Sequence, residues 1–137
     1  MGRAAIIALV ALIGSGCSRQ PTIIVGSKNF TEQLVLGEII AQQIERRMDV
    51  RVDRRLNLGG TLLAHQALIR GAIHLYPEYT GTALTAVLKQ PVHSDPAAVF
   101  EKVRAEYASR WQLKWLPGLG FNNTFAILVR RADAEAH

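Results

Sequence analysis

Three short stretches hold most of the side chains capable of specific chemistry in this 137-residue chain. They are Ser27-Lys28-Asn29-Phe30, the run LYPEYTGT at residues 75–82, and Phe121-Asn122-Asn123-Thr124-Phe125. Between them they offer a lysine, two tyrosine rings, three phenylalanine rings, threonine hydroxyls and side-chain amides. This is a vocabulary for binding. The negative face of an aromatic ring attracts an apolar cation by roughly 0.5–2 kcal/mol per contact. A lysine and the N-terminus of a helix suit an anion. A ligand that uses both would be a small zwitterion.

The two tyrosines of LYPEYTGT are not equivalent. Tyr76 is in strand phase with Ile73-His74-Leu75 and reads as a packing residue. Pro77 lacks a backbone donor and ends that strand, so Tyr79, beyond it, reads as a site residue. From position alone, Lys28 is either a ligand contact or a solvated loop residue.

Catalytic constellations are missing from the sequence. His65, His74, His93 and His137 are far apart, without cysteine partners or an HExxH pattern, so no metal site is expected and each reads as a surface or loop residue. There is no GxSxG. The NLGGT loop at residues 57–61 is glycine-rich but lacks the phosphate-loop lysine; it reads as a turn into a helix. Glu78 has no second carboxylate near it in sequence. Neither an enzyme nor a cofactor is expected. The net charge of +5 comes from 16 Lys and Arg interleaved with 11 acids. Asp49 and Asp53 lie among the densest basic spots, which disfavours a nucleic-acid partner.

These loops need a scaffold. Ile23-Ile24-Val25 reads as a buried strand ending at Gly26. Asn29 is placed to cap the next helix, with Glu32 completing a capping box. Leu36, Ile40 and Ile44, flanked by Leu34 and Ile39, form its expected apolar face, and it ends near Arg47. Residues 50–53 alternate as a second strand. Thr61 is the expected cap of a helix whose stripe is Leu62, Leu63, Ala67 and Leu68, closed by Gly71. Residues 72–76 form a strand candidate and residues 81–88 a third helix. Asp95-Pro96 starts a further helix with Val99, Val103 and Tyr107 inward. Residues 113–116 and 124–129 are strand candidates, and residues 130–137 look like the start of another helix. This order predicts an α/β fold with a mostly parallel sheet flanked by helices. In such sheets ligands sit beyond the carboxyl ends of the strands, where all three loops fall.

The N-terminus reads as an export signal. Arg3 precedes an apolar run over residues 4–13, too short to span a bilayer and suited to a signal peptide. Gly14, Ser15 and Gly16 then lead to Cys17, the single cysteine. This resembles a bacterial lipoprotein signal, in which the cysteine is lipidated, although Gly14 stands where a large aliphatic is usual. The other reading is an ordinary secretory signal; both export the chain. With one cysteine, no intrachain disulfide forms.

Three blocks, GSKNFTEQLVLGEIIAQQIE, NLGGTLLAHQALIRGAIHLYPEYTGT and GFNNTFAILVR, resemble in sequence and order the substrate-binding proteins of ABC-type osmoprotectant importers. The resemblance covers residues 23–131. It implies a periplasmic-binding-protein-like fold, two α/β lobes closing around a ligand, and uptake of glycine betaine, choline, carnitine or related quaternary ammonium compounds. It implies an aromatic cage in which Tyr79 matches a cage tyrosine. Phe125 stands where a tyrosine is common. Thr82 matches a threonine that bonds the ligand's polar end, and Lys28 matches a residue contacting its carboxylate end. His74 stands where an acidic residue is usual.

The implied partners are the small ligand, a membrane permease and, through Cys17, the membrane itself. The implied location is periplasmic or on the outer face of the cell membrane. Residues 1–16 are then a signal peptide, 17–22 a lipid-anchor tether, 23–120 the N-terminal lobe, and 121–137 the crossover strand and start of a second lobe. That lobe is largely missing, so the expectation is a truncated chain, or one whose second lobe another chain supplies, with a half-cage that binds weakly alone. The competing classes are an enzyme and a ligand-free sensory or interaction module on a similar lobe.

Overall fold

β1 (Thr22–Gly26) and β2 (Arg51–Arg55) lie side by side in parallel, in register from Thr22 opposite Arg51 to Gly26 opposite Arg55. The computed structural model describes residues 20–124 and 127–135. Parallel strands need a crossover connection, and α1 (Thr31–Arg47) supplies it. On the other flank of β1, Leu75 forms a parallel bridge with Val25. There His74 N–H donates to the Ile24 carbonyl at 2.8 Å and Gly26 N–H to the Leu75 carbonyl at 2.8 Å. β1 is therefore central, and the strand expected over residues 72–76 is reduced to this single bridge.

The stripe of α1 nearest the sheet is Gln33, Gly37 and Ala41, all buried. The aliphatic face expected at Leu36, Ile40 and Ile44 is only half-buried, and Ile39 is exposed. Close approach explains the difference. A Cβ on Gly37 would meet Leu56 Cδ2 at 2.8 Å and Ser27 Cβ at 3.3 Å. Small residues let the helix settle, and Ile40 and Ile44 pack beside the core of Val25, Ala41 and Val52. Arg54 ties β2 to α1 by donating to both Glu38 and Glu45. Those bonds hold both carboxyls below their ordinary range.

α2 (Thr61–Ile69) has Gly60 as its N-cap, and Thr61, expected there, is its first helical residue. The stripe also differs from expectation. Leu62 and Leu63 are exposed, while Ala64 and His65 are buried. The helix ends on Gly71 at φ +70°. Ala72 N–H reaches the Ala67 carbonyl at 2.9 Å and Gly71 N–H the Leu68 carbonyl at 3.0 Å. This double bond pattern needs a left-handed residue, which glycine adopts without steric cost.

α3 (Thr80–Thr82) continues into a π-helical turn over Ala83–Val87. α4 (Pro96–Trp111) starts as expected, with Asp95 Oδ1 accepting from Ala97 N–H at 2.9 Å and Ala98 N–H at 3.3 Å. Val99, Val103 and Tyr107 join Ala83, Leu84 and Leu88 in a second core. Residues 113–116 form no strand; Leu113 and Trp115 pack on that core instead. The described part of 124–129 is not a strand either, and no described strand pairs with it. α5 (Arg131–Glu135) follows. No described helix is long and apolar enough to cross a membrane.

Candidate functional site

Lys28 sits where β1 gives way to α1, and its backbone is tightly held. Ser27 and Asn29 pair with the loop after β2: Leu58 N–H donates to the Ser27 carbonyl, and Asn29 N–H to the Gly59 carbonyl, both at 3.0 Å. The buried Ser27 hydroxyl accepts from Asn57 N–H at 3.0 Å. These bonds aim the Lys28 side chain inward rather than into water.

Its ammonium meets Glu78. Nζ lies 2.5 Å from Glu78 Oε1, and the two side chains are 2% and 5% exposed. The solvated-loop reading of Lys28 is therefore overturned. Glu78 also accepts from the Tyr76 hydroxyl at 3.1 Å and from the backbone N–H of Tyr79 at 2.7 Å. Burial, with the Glu78 charge second, pushes the Tyr76 phenol well up. Tyr76 is thus a half-buried residue with a polar partner.

The same ammonium lies 4.6 Å from the centre of the Tyr79 ring and 5.6 Å from that of Phe30. The two rings are nearly parallel, 20° apart in plane with centroids 6.3 Å apart. At its far end, the Tyr79 hydroxyl donates to Glu32 Oε1 at 2.8 Å. Burial, above all, raises its phenol. The Glu32 carboxylate accepts in addition from Asn123 Nδ2 at 3.1 and 3.2 Å. The capping box expected from Asn29 and Glu32 is consequently absent: Phe30 is the N-cap, without a side-chain cap bond. Glu32 is committed across the site.

Glu32 also lines an open cavity of about 320 Å³ together with Phe121, Asn122, Asn123 and Thr124. Two of the three sequence-defined loops and the start of α1 thus meet through one carboxylate. Thr82 closes the short α3 turn and is half-buried; its hydroxyl bonds to no other described residue. Phe125 and Cys17 lie outside the described residues. His74, though exposed, presents Nδ1 to the Ile24 N–H at 3.2 Å.

Sequence reasoning overlooked Glu32 and Glu78 as site residues. The partners that join them across the site, Lys28 for Glu78 and Tyr79 and Asn123 for Glu32, are 47 to 91 residues away, so local spacing carried no signal for those contacts. His65 also departs from its reading as a surface or loop residue. It is buried on α2, 5.1 Å from the Tyr107 ring and 4.6 Å from that of Trp111. Neither ring nitrogen has a described partner. Among the described residues no cluster could hold a metal ion.

The arrangement can place a cation against ring faces and a carboxylate. Comparison with known proteins points the same way. Residues 21–137 match the family described as the substrate binding domain of ABC-type glycine betaine transport systems. The chain is 35% identical over 127 residues to the ergothioneine transport permease/ergothioneine binding protein EgtU of Helicobacter pylori, covering 92% of this chain and 22% of that one. It is 33% identical over 134 residues to a glycine-betaine-binding protein of Pseudomonas aeruginosa, covering 97% and 42%.

The solved structure of apo YehZ from Escherichia coli superposes with a TM-score of 0.71 at 34% identity, over 85% of this chain and 41% of that one. The fold is accordingly an α/β, periplasmic-binding-protein-like one, and these relatives are transport binding proteins rather than enzymes. The chain spans about two fifths of the length of the latter two relatives and about a fifth of the first. With residues 21–137 matched, it belongs to the family of substrate-binding domains of ABC-type glycine betaine transport systems.

Proposed function

We propose that the chain forms a ligand-contacting lobe of an extracytoplasmic ABC-importer binding protein for a quaternary ammonium osmolyte of the glycine betaine, choline or carnitine type. In this reading residues 23–120 are the N-terminal lobe and residues 121–137 lead into a second. Residues 1–16 direct export, Cys17 carries a lipid anchor, and a membrane permease receives the ligand.

One observation carries the proposal. The Tyr79 ring lies nearly parallel to that of Phe30, with centroids 6.3 Å apart, and carries the Glu32 carboxylate at its hydroxyl. Ring faces so placed attract a trimethylammonium group, which lacks N–H donors and binds through charge and apolar contact. The open cavity of about 320 Å³ adjoins this stack through Glu32, which lines it and accepts from the Tyr79 hydroxyl. Tyr79, Phe125 and Thr82 are the proposed contacts, with Tyr79 on the cation, while Lys28, held by Glu78 beside the Tyr79 ring, positions that ring. The chemistry is capture and release, without bond making.

NMR titration of the chain with glycine betaine and with choline tests this, because chemical shifts read binding even in the millimolar range. Shifts at Tyr79 and Asn123 are expected, and Tyr79→Ala should abolish them while the dispersed spectrum persists. Unchanged ligand shifts in a folded Tyr79→Ala chain would remove Tyr79 from the site. No binding by the parent chain would overturn the proposal.

A further inference from the structure

The charges around Tyr79 do not cancel. Lys28 is matched one-to-one by Glu78 at 2.5 Å, and both are nearly inaccessible. Glu32 is different. Among the described residues its oxygens accept only from neutral donors, the Tyr79 hydroxyl and the Asn123 amide. Among the described residues no lysine, arginine or histidine forms an ion pair with it. It is half-buried and forms part of the cavity wall. The three charged side chains grouped at the tyrosine therefore sum to one negative charge, on the side that faces the cavity.

We infer that Glu32 is a specificity-determining residue that makes the site prefer a quaternary ammonium ligand without an acid group to a zwitterionic one. The inference rests on the proposed function and narrows it. A trimethylammonium group cannot donate a hydrogen bond, so Glu32 acts on it through charge alone, at a distance set by the methyl groups. A ligand that also carries a carboxylate brings a second negative charge into the same cavity. Lys28 offers no ready relief, because its ammonium is held by Glu78 and directed at the Tyr79 ring. Breaking that buried pair to recruit the lysine is costly. An alcohol at the ligand's other end carries no such penalty; the amides of Asn122 and Asn123 and the Thr124 hydroxyl line the same cavity.

The test compares choline with glycine betaine by NMR titration of the parent chain, Glu32→Gln and Glu32→Asp. Gln keeps a carbonyl acceptor for the Tyr79 hydroxyl and removes the charge; Asp keeps the charge on a shorter arm. The parent is expected to bind choline more tightly. In Glu32→Gln the ratio of the two affinities should move roughly fivefold toward glycine betaine, the effect of one partly solvated unit charge a few ångströms away. Glu32→Asp should retain most of the preference.

A parent that favours glycine betaine, or a ratio unchanged in Glu32→Gln, overturns the inference while leaving the proposed function standing. So does an equal shift in both variants, since geometry rather than charge would then set the preference. Absence of binding of either ligand to the parent chain overturns the proposed function itself.

Discussion

Lys28 Nζ stands 2.5 Å from Glu78 Oε1 and 4.6 Å from the centre of the Tyr79 ring, so one ammonium serves as both ion-pair partner and ring contact. The pair links the end of β1 to the segment before α3, fifty residues along the chain. It also fixes Tyr79 from below, because Glu78 accepts the Tyr79 backbone N–H.

Breaking this pair from one side should be much worse than removing both charges. Lys28→Met leaves the Glu78 carboxylate buried without its cation, and Glu78→Gln leaves the ammonium. Each is expected to cost about 3–5 kcal/mol. The double variant Lys28→Met/Glu78→Gln should recover a large part of that loss, since no uncompensated charge remains. Urea denaturation of the four proteins completes the cycle. Single-variant losses below about 1 kcal/mol would mean that the pair is solvated rather than buried.

Two capping positions give opposite expectations. Asp95 accepts two backbone N–H groups at the start of α4, so Asp95→Ala should destabilise by about 1 kcal/mol. Asn29 was the cap expected from sequence for α1, but that helix has no side-chain cap bond. Asn29→Ala should therefore change stability by less than about 0.5 kcal/mol. Denaturation midpoints at constant m-value measure both, and equal losses would restore Asn29 to a capping role.

The contrast between those positions shows what the sequence could disclose. Asp95-Pro96 is a local signal: cap, fixed φ and apolar face all lie within three turns, and the helix forms where they indicate. The parallel β1–α1–β2 unit was legible for the same reason, from short-range periodicity. Glu32 carried a local signal too, but a distant one prevailed. Its carboxylate accepts from Tyr79 and Asn123, 47 and 91 residues away, and no spacing rule reports such partners. The buried stripe of α1 was hidden because depth against the sheet favours small residues over apolar ones. Leu62 and Leu63 misled in the opposite way, being apolar yet exposed.

Gly37 should be intolerant of even one methyl group. Alanine is the better helix former by about 1 kcal/mol, but its Cβ would lie 2.8 Å from Leu56 Cδ2 and 3.3 Å from Ser27 Cβ. Overpacking of this kind costs about 1–3 kcal/mol, so Gly37→Ala should be net destabilising. Gly81, in α3, has nothing within 4 Å of the same position, and Gly81→Ala should stabilise by up to about 1 kcal/mol. The opposite signs are the diagnostic, read by thermal unfolding. A stabilising Gly37→Ala would show that α1 rides further from the sheet.

His65 should make the fold sensitive to mild acid. Burial lowers its pKa from the ordinary 6.5, and neither ring nitrogen has a described partner. In the unfolded chain the imidazole takes its proton near the ordinary value; in the folded chain it does so only at lower pH. The unfolded state therefore binds more protons over that window. The stability contributed by neutral His65 is complete above about pH 6.5 and is lost as the pH falls through the folded value. Glu38 and Glu45, whose carboxyls are lowered chiefly by hydrogen bonds from Arg54, lose their contribution only below the carboxylate value of 4.5. The two effects thus separate along the pH axis. Urea midpoints at about pH 7.5, 6.5 and 5.5 should decline in the parent chain and flatten in His65→Leu, whose aliphatic side chain has nothing to protonate among Tyr107 and Trp111. A decline of equal steepness in the variant would assign the acid sensitivity to groups other than His65.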